Sequence, residues 1–264
     1  VKLCRFELKE EPDQVRSGMV FGGKVYETDG ATAIGVYEAE QVRPLAPVAI
    51  SPSLRIVHND FQPLTTYMGE EPHFFYANPA SLAGPSQTVL FPNFTTRVSV
   101  LPMVAAVVVS PGYRVTPDDA EDMVLGLCMV CLVTAPGIEE AERNSKGGFG
   151  RSIDLGGVIG PVLTTPDELD DFVQDAEFGR RYKLDAISRV NGVERDRGNL
   201  ENLPWTFAET ISHAAQSCTV KEGDIVAMGP VVEAEEVLFL SGGDEYQLTI
   251  EQLGTLKFRL AEDL

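Results

Sequence analysis

Histidine, cysteine, tryptophan and basic residues are all scarce in this chain of 264 residues. Its four cysteines (Cys4, Cys128, Cys131, Cys218) are too few and too scattered for a secreted disulfide scaffold. Cys128 and Cys131 form a CxxC, but no second CxxC or HxxxH lies nearby to complete a zinc site. On an extended strand, residues three apart point to opposite faces, so the pair reads as two buried apolar thiols. Long apolar runs are missing too. None reaches the ~18 residues of a membrane-spanning helix. The longest candidate, Val98 to Val109, contains Pro102 and suits a buried strand or strand pair. The first residues, Val1 to Phe6, alternate like a strand and lack an apolar leader segment, so a cytoplasmic chain is expected. With 21 Lys and Arg against 40 Asp and Glu, the net charge is −19. Such a surface repels phosphate backbones and anionic headgroups, which argues against nucleic acid and membrane as partners.

Acids are abundant yet unevenly spread. None lies between Glu71 and Asp118, a stretch that would hold about seven at the chain's mean density. None lies between Asp122 and Glu139 either. The runs Glu233–Glu236 and Asp167–Asp171 read as solvated faces. Gly147–Gly150 is glycine-rich but lacks the strand–loop–helix context of a phosphate cradle.

Apolar residues make up 44% of the chain, enough for a substantial core. Short strands and turns fill residues 1–50: Leu3–Leu8, Gly18–Tyr26 around Gly22-Gly23, and Ala33–Tyr37. The Pro-punctuated connection Arg43–Pro47 follows. We expect a small N-terminal subdomain over 1–50 and a main domain over 51–264. In the latter, apolar runs at Leu54–Val57, Val98–Val109, Gly126–Val133, Val158–Leu163, Ile225–Met228, Val237–Leu240, Tyr246–Ile250 and Gly254–Leu260 are separated by Gly, Pro and Asp turns. Asn191-Gly192 marks a hairpin. Helix starts are signalled at Thr116-Pro117-Asp118 and Thr165-Pro166-Asp167, and Glu201–Ser217 reads as a helix. The sum is an α+β, strand-rich chain without βαβ alternation.

Six segments carry a family pattern in order. They are Phe75-Tyr76-Ala77-Asn78-Pro79-Ala80-Ser81-Leu82-Ala83-Gly84-Pro85, Asp119–Gly126, Gly150-Arg151-Ser152-Ile153-Asp154 with Gly160-Pro161, Val220–Pro230, Gly243-Asp244 and Ile250–Leu256. Over about residues 50 to 260 this resembles the fumarylacetoacetate hydrolase superfamily. The resemblance implies a mixed β-sandwich roll with short helices, a homodimer, and a magnesium or manganese ion held by an E-x-E strand and an aspartate on the next one. In that family the metal polarises a β-dicarbonyl or 2-oxo acid; hard cations require such oxygen ligands.

By the same resemblance, Pro102 and Val104 stand where the two glutamates belong and Leu132 where the aspartate belongs. No metal is expected at this site, and no other cofactor. Leu64 replaces the family's catalytic histidine, Ala77 its lysine in F-x-K, and Arg151 the lysine of its G-K-S-F-D. The polar groups left in these motifs are His58, His73, Asp60, Tyr76, Asn78 and Arg151. An imidazole is the usual general acid or base, and a guanidinium can hold a carboxylate bidentately. His58, His73 and Arg151 are therefore the catalytic candidates. Asp60, Tyr76, Asn78, Leu64, Val104 and Leu132 are the candidate substrate contacts, while His213 reads as structural.

The resulting expectation is a metal-independent enzyme acting on a carbonyl- or enol-bearing, fairly apolar small molecule, by isomerisation, cyclisation or decarboxylation, with a polyketide-like intermediate as one substrate type. A non-catalytic binding subunit is the alternative. A C–C hydrolase or lyase of a β-dicarbonyl or 2-oxo acid with a rebuilt site is the third reading.

Overall fold

A computed structural model of the chain describes residues 1–30, 32–58, 71–146, 148–234 and 236–261. The alternating start forms β1 (Lys2–Leu8), which pairs antiparallel with the long β2 (Glu11–Phe21). Gly22 and Gly23, at φ 57° and 79°, make the tight turn into β3 (Lys24–Thr28), a conformation glycine adopts without steric cost. Next come β4 (Ala33–Glu38) and β5 (Val42–Leu45), the latter lying along Arg5–Leu8 of β1. Cys4, Phe6, Val25 and Val42 form a small core of their own among these strands.

The main body follows in chain order as β6 (Leu54–His58), β7 (Phe74–Ala77), the short β8 (Leu82–Ala83) and β9 (Thr88–Val89), then β10 (Ser99–Val108). A single-turn α1 (Pro117–Glu121) leads to β11 (Val124–Thr134), α2 (Pro136–Asn144) and β12 (Gly157–Thr164). The pair β13 (Val173–Gln174) and β14 (Arg181–Tyr182) precedes the hairpin β15 (Asp185–Val190) and β16 (Val193–Asn199). Its turn has Asn191 at φ 51° and Gly192 at φ 78°, the two positive angles of a type I′ turn. Last come α3 (Phe207–Ser217), β17 (Ile225–Gly229), β18 (Glu245–Ile250) and β19 (Gly254–Leu260).

The strands assemble into a large sheet ordered β4-β3-β2-β1-β12-β11-β10-β17-β6-β7 and a second one ordered β16-β15-β18-β19-β9. The N-terminal strands join the large sheet where Lys2 and Leu3 pair with Thr164 and Leu163. This is the strand-rich architecture expected, with few and short helices.

Strands β10, β11 and β17 are buried on both faces, which explains their nearly unbroken apolar runs. Side chains of alternate parity enter two cores. Val104, Ala106, Leu127, Met129, Cys131 and Met228 pack toward the second sheet and α3. Leu54, Ile56, Leu101, Met103, Cys128 and Leu132 pack on the opposite face. Cys128 and Cys131 therefore point apart, both fully buried.

Some local expectations change. The helix sought from Glu201 begins only at Phe207; Leu200–Asn202 is an isolated 3-10 turn and Pro204 intervenes. At Thr165, the start signal yields a 3-10 helix, Pro166–Phe172. Val237–Leu240 forms no strand and touches the sheets only through the bridge between Leu240 and Val98. No helix among the described residues is long and apolar enough to cross a membrane.

Candidate functional site

Strand parity fixes which residues can share a site. Leu101 lies directly across from Leu132 in the β10–β11 ladder, and Met103 joins them in the same core. Pro102 stands opposite Cys131, and Val104 opposite Met129 and Met228, both on the far face. Val104 and Leu132, grouped together on sequence grounds, thus point to opposite sides of one sheet. The period of two makes a one-residue alignment step a change of face. Leu101 and Met103 are the β10 residues that accompany Leu132. All three are almost or fully buried, and none offers an oxygen ligand.

At the end of this face, a cavity of about 370 Å³ opens between the large sheet, α2 and the loop that follows α2. Its floor is Phe75, Leu101 and Ile153, with Phe149 above. Its polar wall is His58, Thr134, Glu139, Glu140 and Arg143. His58 ends β6, whose even-numbered residues Leu54 and Ile56 face the same side. Arg143 donates to Glu139 Oε1 over 2.6 Å, one helical turn away, and its guanidinium lies 5.1 Å from the Phe149 ring centroid. Phe149 in turn packs on Phe75 at 5.0 Å.

The loop is tied down by Glu142. Its Oε1 accepts from Arg151 N at 2.8 Å, and its Oε2 accepts from Gly150 N at 3.3 Å and from the Ser152 hydroxyl. Burial alone would raise this carboxyl's pKa. The hydrogen bonds from Ser152, Gly150 and Arg151 outweigh it and hold the group below the ordinary carboxylate range.

The other predicted residues distribute as follows. Asp60 and Leu64 fall outside the described residues. His73 immediately precedes β7. The β6–β7 ladder, ending at Val57 opposite Phe74, would set it beside His58 at its next position, but it is not among the cavity-lining residues. Arg151 does not line the cavity either; its guanidinium lies 3.9 Å over the Phe94 ring. Tyr76 covers the guanidinium of Arg55 at 5.3 Å on the other face of β7. Asn78 caps the turn Pro79–Ser81 by accepting from Ala80 N and donates to Asp154 Oδ1 at 3.0 Å. His213 sits 3.7 Å from Glu71 Oε2 and edge-on to Phe74. The charged residues of the wall, Glu139, Glu140 and Arg143, were not singled out from sequence.

A larger depression of about 750 Å³ adjoins this cavity across Ser99–Leu101 and Val237. Its described lining residues include Asp196, Glu233 and Glu236 but no base and no histidine. The smaller cavity holds the groups suited to proton transfer.

Comparison with known proteins bears on this geometry. The family profile described as fumarylacetoacetate (FAA) hydrolase C-terminal matches residues 55–261. A 2,4-didehydro-3-deoxy-L-rhamnonate hydrolase of Sphingomonas sp. (strain SKA58) is 29% identical over 197 residues, which is 73% of this chain and 66% of that protein. The oxaloacetate tautomerase YisK of Bacillus subtilis (strain 168) is 26% identical over 234 residues, 84% of this chain and 74% of the relative. Among solved structures, a fumarylacetoacetate hydrolase from Exiguobacterium antarcticum superposes with a TM-score of 0.79 at 21% identity, covering 99% of both chains. A 5-carboxymethyl-2-hydroxymuconate delta-isomerase from Mycobacterium smegmatis gives 0.76 at 20% identity over the whole of both.

Proposed function

The chain belongs to the fumarylacetoacetate hydrolase family, and from that premise we propose that it is an enzyme of proton transfer on an enolisable carbonyl compound, working without a divalent metal. The observation that carries this reading is the cavity itself: an apolar floor of Phe75, Leu101 and Ile153 beneath a wall holding His58, Glu139, Glu140 and Arg143. Homologues in the family include tautomerases, isomerases and hydrolases, and enol chemistry is common to the first two names.

A hard cation does not fit the family position in this chain. Leu101, Met103 and Leu132 provide two branched alkyl groups and a thioether where oxygen ligands are required. In this reading the reaction is carried by the side chains alone. The His58 imidazole takes the proton from carbon adjacent to the substrate carbonyl, and the C–H electron pair moves into a new C=C bond as the oxygen gains charge. Arg143, oriented by Glu139, faces that developing charge. Return of the proton to oxygen gives the enol; return to a different carbon gives the isomer. Apolar walls and exclusion of water favour such charge migration between fixed groups. Cyclisation or decarboxylation would begin from the same enolate. The small-molecule substrate and homodimeric state expected of the family belong to this proposal.

Exchange of substrate C–H for solvent deuterium, followed by NMR on chelator-treated protein, tests it. Oxaloacetate and longer, more apolar 2-oxo acids are the first probes. Exchange by metal-free protein is expected, falling by about 10²-fold or more in His58→Ala. Exchange that arises only after magnesium or manganese is added would sink the metal-free reading. No exchange with any probe, together with intact binding, would favour the non-catalytic alternative.

A further inference from the structure

The cavity's polar wall and its roof come from separate segments, α2 and the loop 148–153. Little in either sequence would hold them at a fixed distance. Glu139, Glu140 and Arg143 stand on α2, whose residues are half-buried or exposed throughout. Phe149 and Ile153 stand on the loop. Between the two runs a compact set of bonds: Arg151 N and Gly150 N at 2.8 and 3.3 Å from the Glu142 oxygens, the Ser152 hydroxyl on Oε2, and Ala135 N to Ser152 O at 2.8 Å. Ser152 is fully buried, so its hydroxyl has no water to turn to if Glu142 is lost.

We propose that Glu142 is a positioning residue for the candidate site: it clamps the loop 148–153 onto α2 and thereby sets the spacing between Phe149 above the cavity and Glu139, Glu140 and Arg143 on its wall. Its own carboxylate is consumed by loop donors and does not line the cavity. A carboxylate is the right group here because every partner is a donor. An amide in its place turns an N–H toward at least one of those donors and cannot satisfy the set. The catalytic part of this claim rests on the proton-transfer reading; the clamp itself does not.

The test uses Glu142→Gln and Glu142→Asp in the full chain, with two independent readouts. Hydrogen–deuterium exchange of the peptide spanning 148–153 reports the clamp without any substrate. Glu142→Gln is expected to speed exchange of the Gly150 and Arg151 amides by about tenfold or more, while the β10 and β11 amides keep their protection. Steady-state kinetics with whichever probe is turned over should show KM raised and kcat lowered together, with the pH dependence of kcat/KM unchanged, and Glu142→Asp recovering part of the loss. Unchanged loop exchange in Glu142→Gln overturns the clamp. Faster loop exchange with unaltered kinetics overturns the positioning role. Faster loop exchange in a protein that turns over no probe upholds the clamp and sinks the proton-transfer reading instead.

Discussion

Arg55 is 3% exposed, and its guanidinium donates to Asp224 Oδ2 at 2.9 Å and to the Ser53 hydroxyl. Asp224 also accepts from Ser53 Oγ and from Lys221 N, so the carboxylate is well satisfied. Burial works against the charged guanidinium, but the Asp224 hydrogen bond and charge outweigh it and its pKa is raised. Phe74 and Tyr76 lie over the same cation. A buried pair of this kind is costly to break from one side because the remaining charge stays uncompensated. Arg55→Met should therefore cost about 3–5 kcal/mol in urea unfolding, whereas Arg55→Met with Asp224→Leu should recover much of that loss. A single-variant cost below about 1 kcal/mol, the range of exposed pairs, would contradict the burial of this pair. Tyr76 is committed to this cluster, which is why a residue drawn from a family motif does not reach the cavity. The cysteines give a second residue-scale prediction. Burial pushes the Cys4 thiol up to about 11 and Cys128 up to about 12, with Cys131 higher still. Only Cys218 is exposed. Since the thiolate is the nucleophile, a thiol reagent at neutral pH should modify one cysteine quickly in native protein and all four after denaturation. Rapid modification of a second thiol before unfolding would show that one of the buried faces opens.

Helix α3 illustrates what local signals can and cannot fix. Thr206 accepts from Glu209 N at 3.2 Å while the Glu209 carboxylate accepts from Thr206 N at 2.7 Å, a reciprocal capping box. Loss of that cap in Thr206→Ala should cost about 1 kcal/mol, read as a shift of the denaturation midpoint without change of slope. The apolar face of α3 was legible because Phe207, Ile211, Ala214 and Ala215 recur at helical spacing and are all buried. Its start was not, because the acidic and amide residues Glu201 and Asn202 look helical in composition while Pro204 ends their turn. Strands β10, β11, β12 and β17 were legible for the same reason as the core: apolar runs buried on both sides leave a strong trace. Helix α2 left almost none. Its sequence, Pro136-Gly137-Ile138-Glu139-Glu140-Ala141-Glu142-Arg143-Asn144, opens on two poor helix formers, has no side-chain cap at Ala135, and carries no apolar stripe. The element that brings the cavity's charges is thus the one periodicity could not detect. Attention fell on Arg151 instead, whose side chain stacks on Phe94 while its backbone serves the Glu142 clamp.

At the scale of the whole molecule, the deciding feature is a sheet with two buried faces. Motif order in the sequence located β10 and β11 but could not say which face each residue takes, since a one-residue slip in alignment exchanges the faces. The ladder resolves it: Leu101 opposite Leu132, with Met103 in the same core, and Pro102 and Val104 behind them. The assignment can be tested by restoring carboxylates. In Leu101→Glu/Met103→Glu/Leu132→Asp, three acids would share one buried face. Without a cation they repel and resist desolvation, so the variant should be strongly destabilised. Manganese, supplying the missing charge to oxygen ligands on a common face, should restore folded protein in a concentration-dependent way, read by thermal shift. In Pro102→Glu/Val104→Glu/Leu132→Asp the acids would lie on opposite sides of the sheet and cannot ligate together, so manganese should not help. If the second variant is rescued and the first is not, the register of β10 against β11 is displaced by one residue. The same result would carry Pro102 and Val104 back to the cavity face and would remove Leu101 from the floor on which the proton-transfer reading stands.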